Sequence, residues 1–193
     1  LTRIVLGLGA NQSRESATSG DVVERPPVGG WTRNNLGAPR RQLLAALAAL
    51  SRGLGPLSVA PLYRSAPVSP IAQPDFLNTV VLAASDWSPG LPERLLAFAK
   101  ELEAAAGRVD GPRWGPRPLD VDLLLVGELQ RDDAHLTLPH PRLRERGFVL
   151  APFADVAPDL ALPPDGRSVA ELLAALAPDP TLRRVSWTEP GLG

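Results

Sequence analysis

Asp120 and Asp122 are the residues of this chain whose type and spacing speak most directly of chemistry. They stand in the run Arg-Pro-Leu-Asp-Val-Asp-Leu-Leu-Leu-Val at 117–126. Alternate residues of a strand share a face, so the two carboxylates project side by side, roughly 6.5–7 Å apart at Cα. Leu119, Val121, Leu123 and Leu125 then face the other way, into a core. Two carboxylates on one face of an apolar strand repel each other and lose hydration, and a cation between them relieves both costs. Hard oxygen donors, in a chain with no cysteine and only two histidines (His135 and His140), favour Mg²⁺. Just upstream, Arg108, Arg113 and Arg117 stand in a Gly/Pro-rich loop that opens at Gly107. Their planar forks match phosphate oxygens. Metal, arginine and polyphosphate together are the equipment of phosphoryl transfer. A second reading makes Asp120 and Asp122 the wet side of an edge strand. The apolar run to Val126 and the arginine loop before it favour a central strand and the chemical reading.

The elements that must carry these residues follow from periodicity and punctuation. Residues 3–8 read as a buried strand, and 10–38 as an aperiodic Gly/Pro/Ser/Asn-rich stretch too long for an ordinary loop. Within it, 12–38 is expected to be a flexible insertion. Residues 39–53 predict a helix with Pro39 at its start and Gly53 at its end. Strands are expected at 57–64 and 76–85, joined by a Pro-rich loop over 65–75. A second helix over 91–106 shows the apolar stripe Leu91, Leu95, Ala99, Leu102 and Ala106 and stops at Gly107. Glu103 lies at the edge of that stripe, where a solvated helix charge and a site residue are equally open. The aspartate strand spans 118–126, and 128–137 holds a short strand or pair. A polar turn follows at 140–147 and an apolar stretch at 148–153. Ser168 and Glu171 make the capping box of a short helix over 168–177, and 182–188 is a last strand. The order β-α-β-β-α-β over 3–126 gives an α+β class, a ferredoxin-like core with added C-terminal strand and helix elements and a long insertion after the first strand.

Composition bounds the rest. A chain of 193 residues with 44% hydrophobic residues and a net charge of −1 is one domain of ordinary size, without the charge of a general nucleic-acid binder. No run approaches the ~18–20 apolar residues that span a membrane, so a cytoplasmic location is expected. Nineteen arginines stand against the single Lys100, and no Gly-x-x-x-x-Gly-Lys loop occurs, so a nucleotide is not held by a P-loop. Two other classes remain open on the residues alone. One is an Asp-x-Asp glycosyltransferase, for which 193 residues leave little room. The other is an RNA- or effector-binding module, for which aromatics at 5% are too few.

Several separated blocks resemble the 6-hydroxymethyl-7,8-dihydropterin pyrophosphokinases of folate biosynthesis. They are Gly-Leu-Gly-Ala-Asn at 7–11, Gln-Pro-Asp-Phe-Leu-Asn at 73–78, the block at 107–122 with its highly specific Arg-Trp-Gly-Pro-Arg-Pro-Leu-Asp-Val-Asp at 113–122, and Leu-Thr-Leu-Pro-His-Pro-Arg-Leu-Arg-Glu-Arg-Gly-Phe-Val-Leu at 136–150. The resemblance implies transfer of a pyrophosphoryl group from ATP to the pterin hydroxymethyl, with release of AMP. It implies two Mg²⁺ ions arriving with ATP, held by Asp120 and Asp122. Arg108, Arg113, Arg117 and Arg146 would bind phosphates, with Arg108 and Arg117 the catalytic pair. Trp114 would clamp the closed site, and His140 would contact the nucleotide. Phe76 and Phe148 would stack on the pterin, Asn78 would read its edge, and Ser65, Pro67 and Val68 would run beside it. Taken alone, both phenylalanines equally suit a core. Glu103 matches an acidic position near the site. The expected partners are ATP and the dihydropterin, with no nucleic acid and no membrane, in a monomer. Three departures stand out. Asp110 replaces a frequent arginine in a loop one residue shorter, Ser65-Ala66 replaces a usual Thr-Pro, and Phe76 replaces a common Tyr.

Overall fold

The opening strand becomes the middle of the sheet. In the computed structural model, which describes residues 1–11, 37–68, 70–108 and 115–188, β1 (Thr2–Ala10) pairs antiparallel with β4 (Phe76–Ser85) on one side and β5 (Asp120–Val126) on the other. β3 (Leu62–Ser65) adds to β4, and β10 (Arg183–Val185) adds to β3, giving the order β10-β3-β4-β1-β5. β2 (Ser58–Val59) also pairs with β4. The strand expected over 57–64 is thus two short pieces, split where Ala60 turns its backbone N–H to the Val80 carbonyl.

The alternation along β1 divides the core. Ile4, Leu6, Leu8 and Ala10 pack against α1 (Gly37–Leu54) and α2 (Leu91–Ala105), through Leu43, Ala46 and Leu50 of the first and Leu91, Leu95 and Ala99 of the second. Val5 faces the opposite layer, where Val80, Leu124 and Leu125 meet α3 (Gly147–Val156) and α4 (Val169–Ala175) through Leu150, Phe153, Val169 and Leu172. The result is a mixed α/β fold, an antiparallel sheet between helices, with four α-helices among the described residues. Two hairpins complete it. β6 (Arg131–Asp132) pairs with β7 (Thr137–Leu138), as the sequence suggested. β8 (Ala161–Leu162) pairs with β9 (Arg167–Ser168), which no pattern in so short a segment announced. Ser168 does cap α4 with Glu171 in a full capping box.

Three expectations are corrected. α1 begins two residues before Pro39 and runs one residue past Gly53, and the left-handed residue that follows it is Gly55, at φ 84°. β5 is an edge strand among the described residues, bonded to β1 alone in the sheet. Its apolar run reflects cover on both faces by helices, and its outer edge is closed by β7 packed beside it and by the His140 N–H, which donates to the Leu124 carbonyl at 2.9 Å. Finally, the register shifts by one residue opposite Val5 and Leu6, a bulge at Leu124. Beyond it the faces exchange, so Leu125 joins the α3/α4 layer and not the α1/α2 layer that holds Leu119, Val121 and Leu123.

Candidate active site

Cross-strand pairing sets the floor of the site. Gly9 of β1 lies directly between Asn78 of β4 and Asp120 of β5, and Gly7 lies between Val80 and Asp122. The row of side chains turned away from α1 and α2 therefore reads amide, bare backbone, carboxylate. A Cβ on Gly9 would come within 3.2 Å of Asn78 Oδ1 and 3.9 Å of the Phe76 ring, so glycine keeps this floor low. Above it opens a cleft of about 730 Å³, lined by Asn78 and Phe76 at one end and Asp120, Asp122 and Arg117 at the other. A volume of that order suits a small-molecule site.

The acidic end is crowded with arginines. Asp120 Oδ1 accepts from Arg117 Nη1 at 2.6 Å and from Arg108 Nη1 at 2.8 Å. Burial pushes the Asp120 carboxyl up, but the charges of Arg117 and Arg108 outweigh it and hold the group below the usual carboxylate range. Asp122 has a weaker partner, Arg146 Nη1 at 3.4 Å. Its carboxyl is pushed up, first by burial and then by the neighbouring Asp120 charge. His140 stands near enough to feel Asp122, yet burial dominates and lowers its imidazole. Burial likewise lowers Arg146. Behind this pair sits Glu103, only 3% exposed, which decides against a solvated helix charge. It accepts from Arg108, from Lys100 Nζ at 3.0 Å and from the Val121 backbone N–H at 3.0 Å. One buried carboxylate thus fixes both the arginine and the strand that bears the aspartates. Among the described residues, no group of three or more His, Asp or Glu side chains converges on one point.

The other end is flat and mostly apolar. Asn78 Nδ2 donates to Ser65 Oγ at 2.9 Å, which fixes the amide in the cleft. Both residues are buried. The partner that sequence reasoning assigned to a ligand is therefore in part supplied by the chain. Phe76 and Phe148 are half-buried and both line the cleft, and the Arg146 guanidinium lies over the Phe148 ring, 5.6 Å from its centre. Phe148 reaches this place because the stretch from Gly147 is a helix, α3, whose first turn faces the cleft.

Most of the sequence-predicted residues converge here, with exceptions. Ser65, Ala66 and Val68 line the cleft, but Pro67 does not. Arg108, Glu103 and His140 lie behind the lining; Arg108 reaches the site through Asp120. Arg113, Trp114 and Asp110 lie outside the described residues, as does nearly all of 12–38. Sequence reasoning missed Gln73, Arg142 and Glu145 on the wall, and the segment from Leu173 to Leu182 that closes one side. Gln73 sat inside a quoted block, so a signal existed. The C-terminal segment carries none, because it is packing of α4 on α3 and pairing of β10 with β3 that bring it there.

Comparison with known proteins bears on this arrangement. The family model of 7,8-dihydro-6-hydroxymethylpterin-pyrophosphokinase (HPPK) matches residues 33–158. The chain belongs to this family. Its function is accordingly the family's pyrophosphokinase step of folate biosynthesis. The 2-amino-4-hydroxy-6-hydroxymethyldihydropteridine pyrophosphokinase of Pseudomonas aeruginosa is 46% identical over 144 residues, 74% of this chain and 86% of that protein. The enzyme of the same name from Methylorubrum extorquens is 36% identical over 92% of this chain and 96% of its own length. Among solved structures, wild-type Plasmodium falciparum HPPK-DHPS with STZ-DHP superposes with a TM-score of 0.58 over 90% of this chain. At 13% identity that likeness concerns the fold alone, and the chain spans 41% of that longer protein. The family match begins past β1, yet β1 carries Gly7 and Gly9 through the centre of the site.

Proposed function

We propose that this cleft performs the family's reaction by holding ATP over Asp120 and Asp122 and the dihydropterin over Gly9 and Asn78. The carrying observation is that both ends lie on one sheet floor, with a single glycine between amide and carboxylate. The hydroxymethyl oxygen of 6-hydroxymethyl-7,8-dihydropterin attacks the β-phosphorus of ATP. The bond from that phosphorus to the oxygen bridging to the α-phosphorus breaks, AMP leaves, and the hydroxyl proton is released. Two Mg²⁺ ions arriving with ATP fit the donor set: paired hard carboxylates without a third protein ligand among the described residues leave positions for phosphate oxygens and water. When bound, they screen the polyphosphate charge and acidify the attacking hydroxyl.

The chain's own residues do the positioning. Arg117 and Arg108 already stand at Asp120 and present their remaining donors to incoming phosphates. Arg146 does the same from above Asp122 while its guanidinium lies over the Phe148 ring. Phe76 and Phe148 offer aromatic surface to a flat heterocycle, and the fixed Asn78 amide reads its edge. Arg113, Trp114 and His140 complete the nucleotide side in this reading. The core order β3-β4-β1-β5, with α1 and α2 on one face, is read as ferredoxin-like. The enzyme acts as a cytoplasmic monomer, and among the described residues no helix is long and apolar enough to cross a membrane. The test is product analysis with ATP, Mg²⁺ and the dihydropterin. AMP formed only with the pterin supports the reading, whereas ADP, or AMP formed equally without pterin, overturns it.

A further inference from the structure

Asn11 is 3% exposed and stands one residue past the end of β1. Its backbone N–H donates to the Arg117 carbonyl at 3.1 Å, and its side-chain Oδ1 accepts from the Arg117 N–H at 2.8 Å. Both main-chain groups of Arg117 are therefore held by one residue. The Asn11 amide nitrogen points the other way, donating to Gln73 Oε1 at 2.9 Å and to the Pro74 carbonyl at 3.1 Å. Gln73 lines the cleft at its apolar end, three residues before the strand that carries Phe76 and Asn78. Arg117 in turn reaches Asp120 at 2.6 Å.

An asparagine suits this place because it alone combines, at this length, one acceptor and two donor hydrogens facing apart. A buried amide with every bond made is rigid, and losing one side leaves a buried group unmatched. We propose that Asn11 is a positioning residue that couples the pterin wall at Gln73 to the phosphate-binding Arg117, so that each substrate tightens the other. It touches neither substrate. The inference rests on the reading of the two ends of the cleft given above. Coupling of this kind is reciprocal: pterin raises nucleotide affinity by the same factor by which nucleotide raises pterin affinity.

The variant that separates the two halves of the clamp is Asn11→Asp, which keeps the acceptor for the Arg117 N–H and loses the donors to Gln73 and Pro74. Gln73→Leu removes the bond to Gln73 from the far side and leaves the one to the Pro74 carbonyl. Binding of 6-hydroxymethylpterin and of the Mg²⁺ complex of α,β-methylene-ATP is measured by calorimetry, each alone and with the other saturating. The wild type is expected to show at least fivefold mutual tightening. In Asn11→Asp and in Gln73→Leu that factor falls to within twofold of unity, kcat falls about tenfold, and each ligand alone still binds. The double variant is no worse than either single one, as expected for one shared link. The inference is overturned if wild-type binding is uncoupled, if either variant keeps the wild-type factor, or if the two losses add. If Asn11→Asp does not fold, Gln73→Leu alone decides. A wild type that binds neither ligand overturns the functional reading itself, and the inference with it.

Discussion

Asp120 and Asp122 are two residues apart on one strand face, yet their surroundings divide them. Asp120 is held ionised by Arg108 and Arg117, while Asp122, more weakly paired, is pushed toward protonation by burial and by Asp120. Replacing Asp120 by alanine leaves Arg108 bonded to Glu103, so the arginine does not become a lone buried charge. Asp120→Ala is expected to unfold cooperatively and to lose turnover; a variant retaining a tenth of wild-type kcat would remove Asp120 from metal binding. At the other end, Phe148→Ala should weaken pterin binding by roughly 1–3 kcal/mol through lost burial and stacking, and the binding of a nucleotide analogue by less. Calorimetry with each ligand decides; equal losses would return Phe148 to a packing role.

At the scale of elements, the two glycines near the end of α1 do different things. Gly55 has φ 84° with nothing within 4 Å of a built Cβ, so Gly55→Ala carries a backbone cost alone, about 1–2 kcal/mol. Gly53 lies inside the helix, where a Cβ would come 2.7 Å from Phe98 Cε1 of α2. There the helix gain of about 1 kcal/mol opposes a clash costing about 1–3 kcal/mol, and a net loss is expected. Urea unfolding of both variants tests this, and a Gly53→Ala protein more stable than wild type would refute the close approach of α1 and α2. The bulge at Leu124 has an equally local reach. It turns Leu125 toward α3 after Asp120 and Asp122 have faced the cleft, so one strand serves the site at its start and the core at its end.

At the scale of the whole molecule, the link between sheet and α3 layer can be followed through one group. Tyr63 of β3 donates to Asp155 Oδ2 of α3 at 2.8 Å. Burial, then the hydrogen bond and charge of Asp155, push its phenol up to about 12. A group with a raised folded pKa stabilises fully below its unfolded pKa and loses that contribution as pH rises through the folded one. The window is thus pH 10 to 12, bounded by the ordinary value of 10.0 and the raised one. Tyr63 is the only tyrosine of the chain, so phenolate absorbance reports it without assignment. The native protein should titrate near 12 and the urea-unfolded protein near 10. The stability advantage of wild type over Tyr63→Phe should shrink across that window. A native midpoint at 10 would show that β3 and α3 are not joined there.

The sequence alone determined the residues of the acidic end, the span of β4, the extent of α2 and the capping box of α4, because each rests on spacing within a few residues. It also carried the family, since the blocks at 7–11, 73–78, 107–122 and 136–150 are local strings. What it left open were questions of partnership. Only pairing across β1 shows that Gly9 separates Asn78 from Asp120; only tertiary packing shows that β5 lies at an edge among the described residues and that Leu173 to Leu182 wall the cleft. Whether Glu103 is solvated or buried was likewise undecidable from its helix position, because the arginine and the strand N–H that satisfy it come from elsewhere in the chain. Side-chain pattern fixes which face of an element is apolar; which element covers that face is decided by long-range packing, and the active site lies where those faces meet.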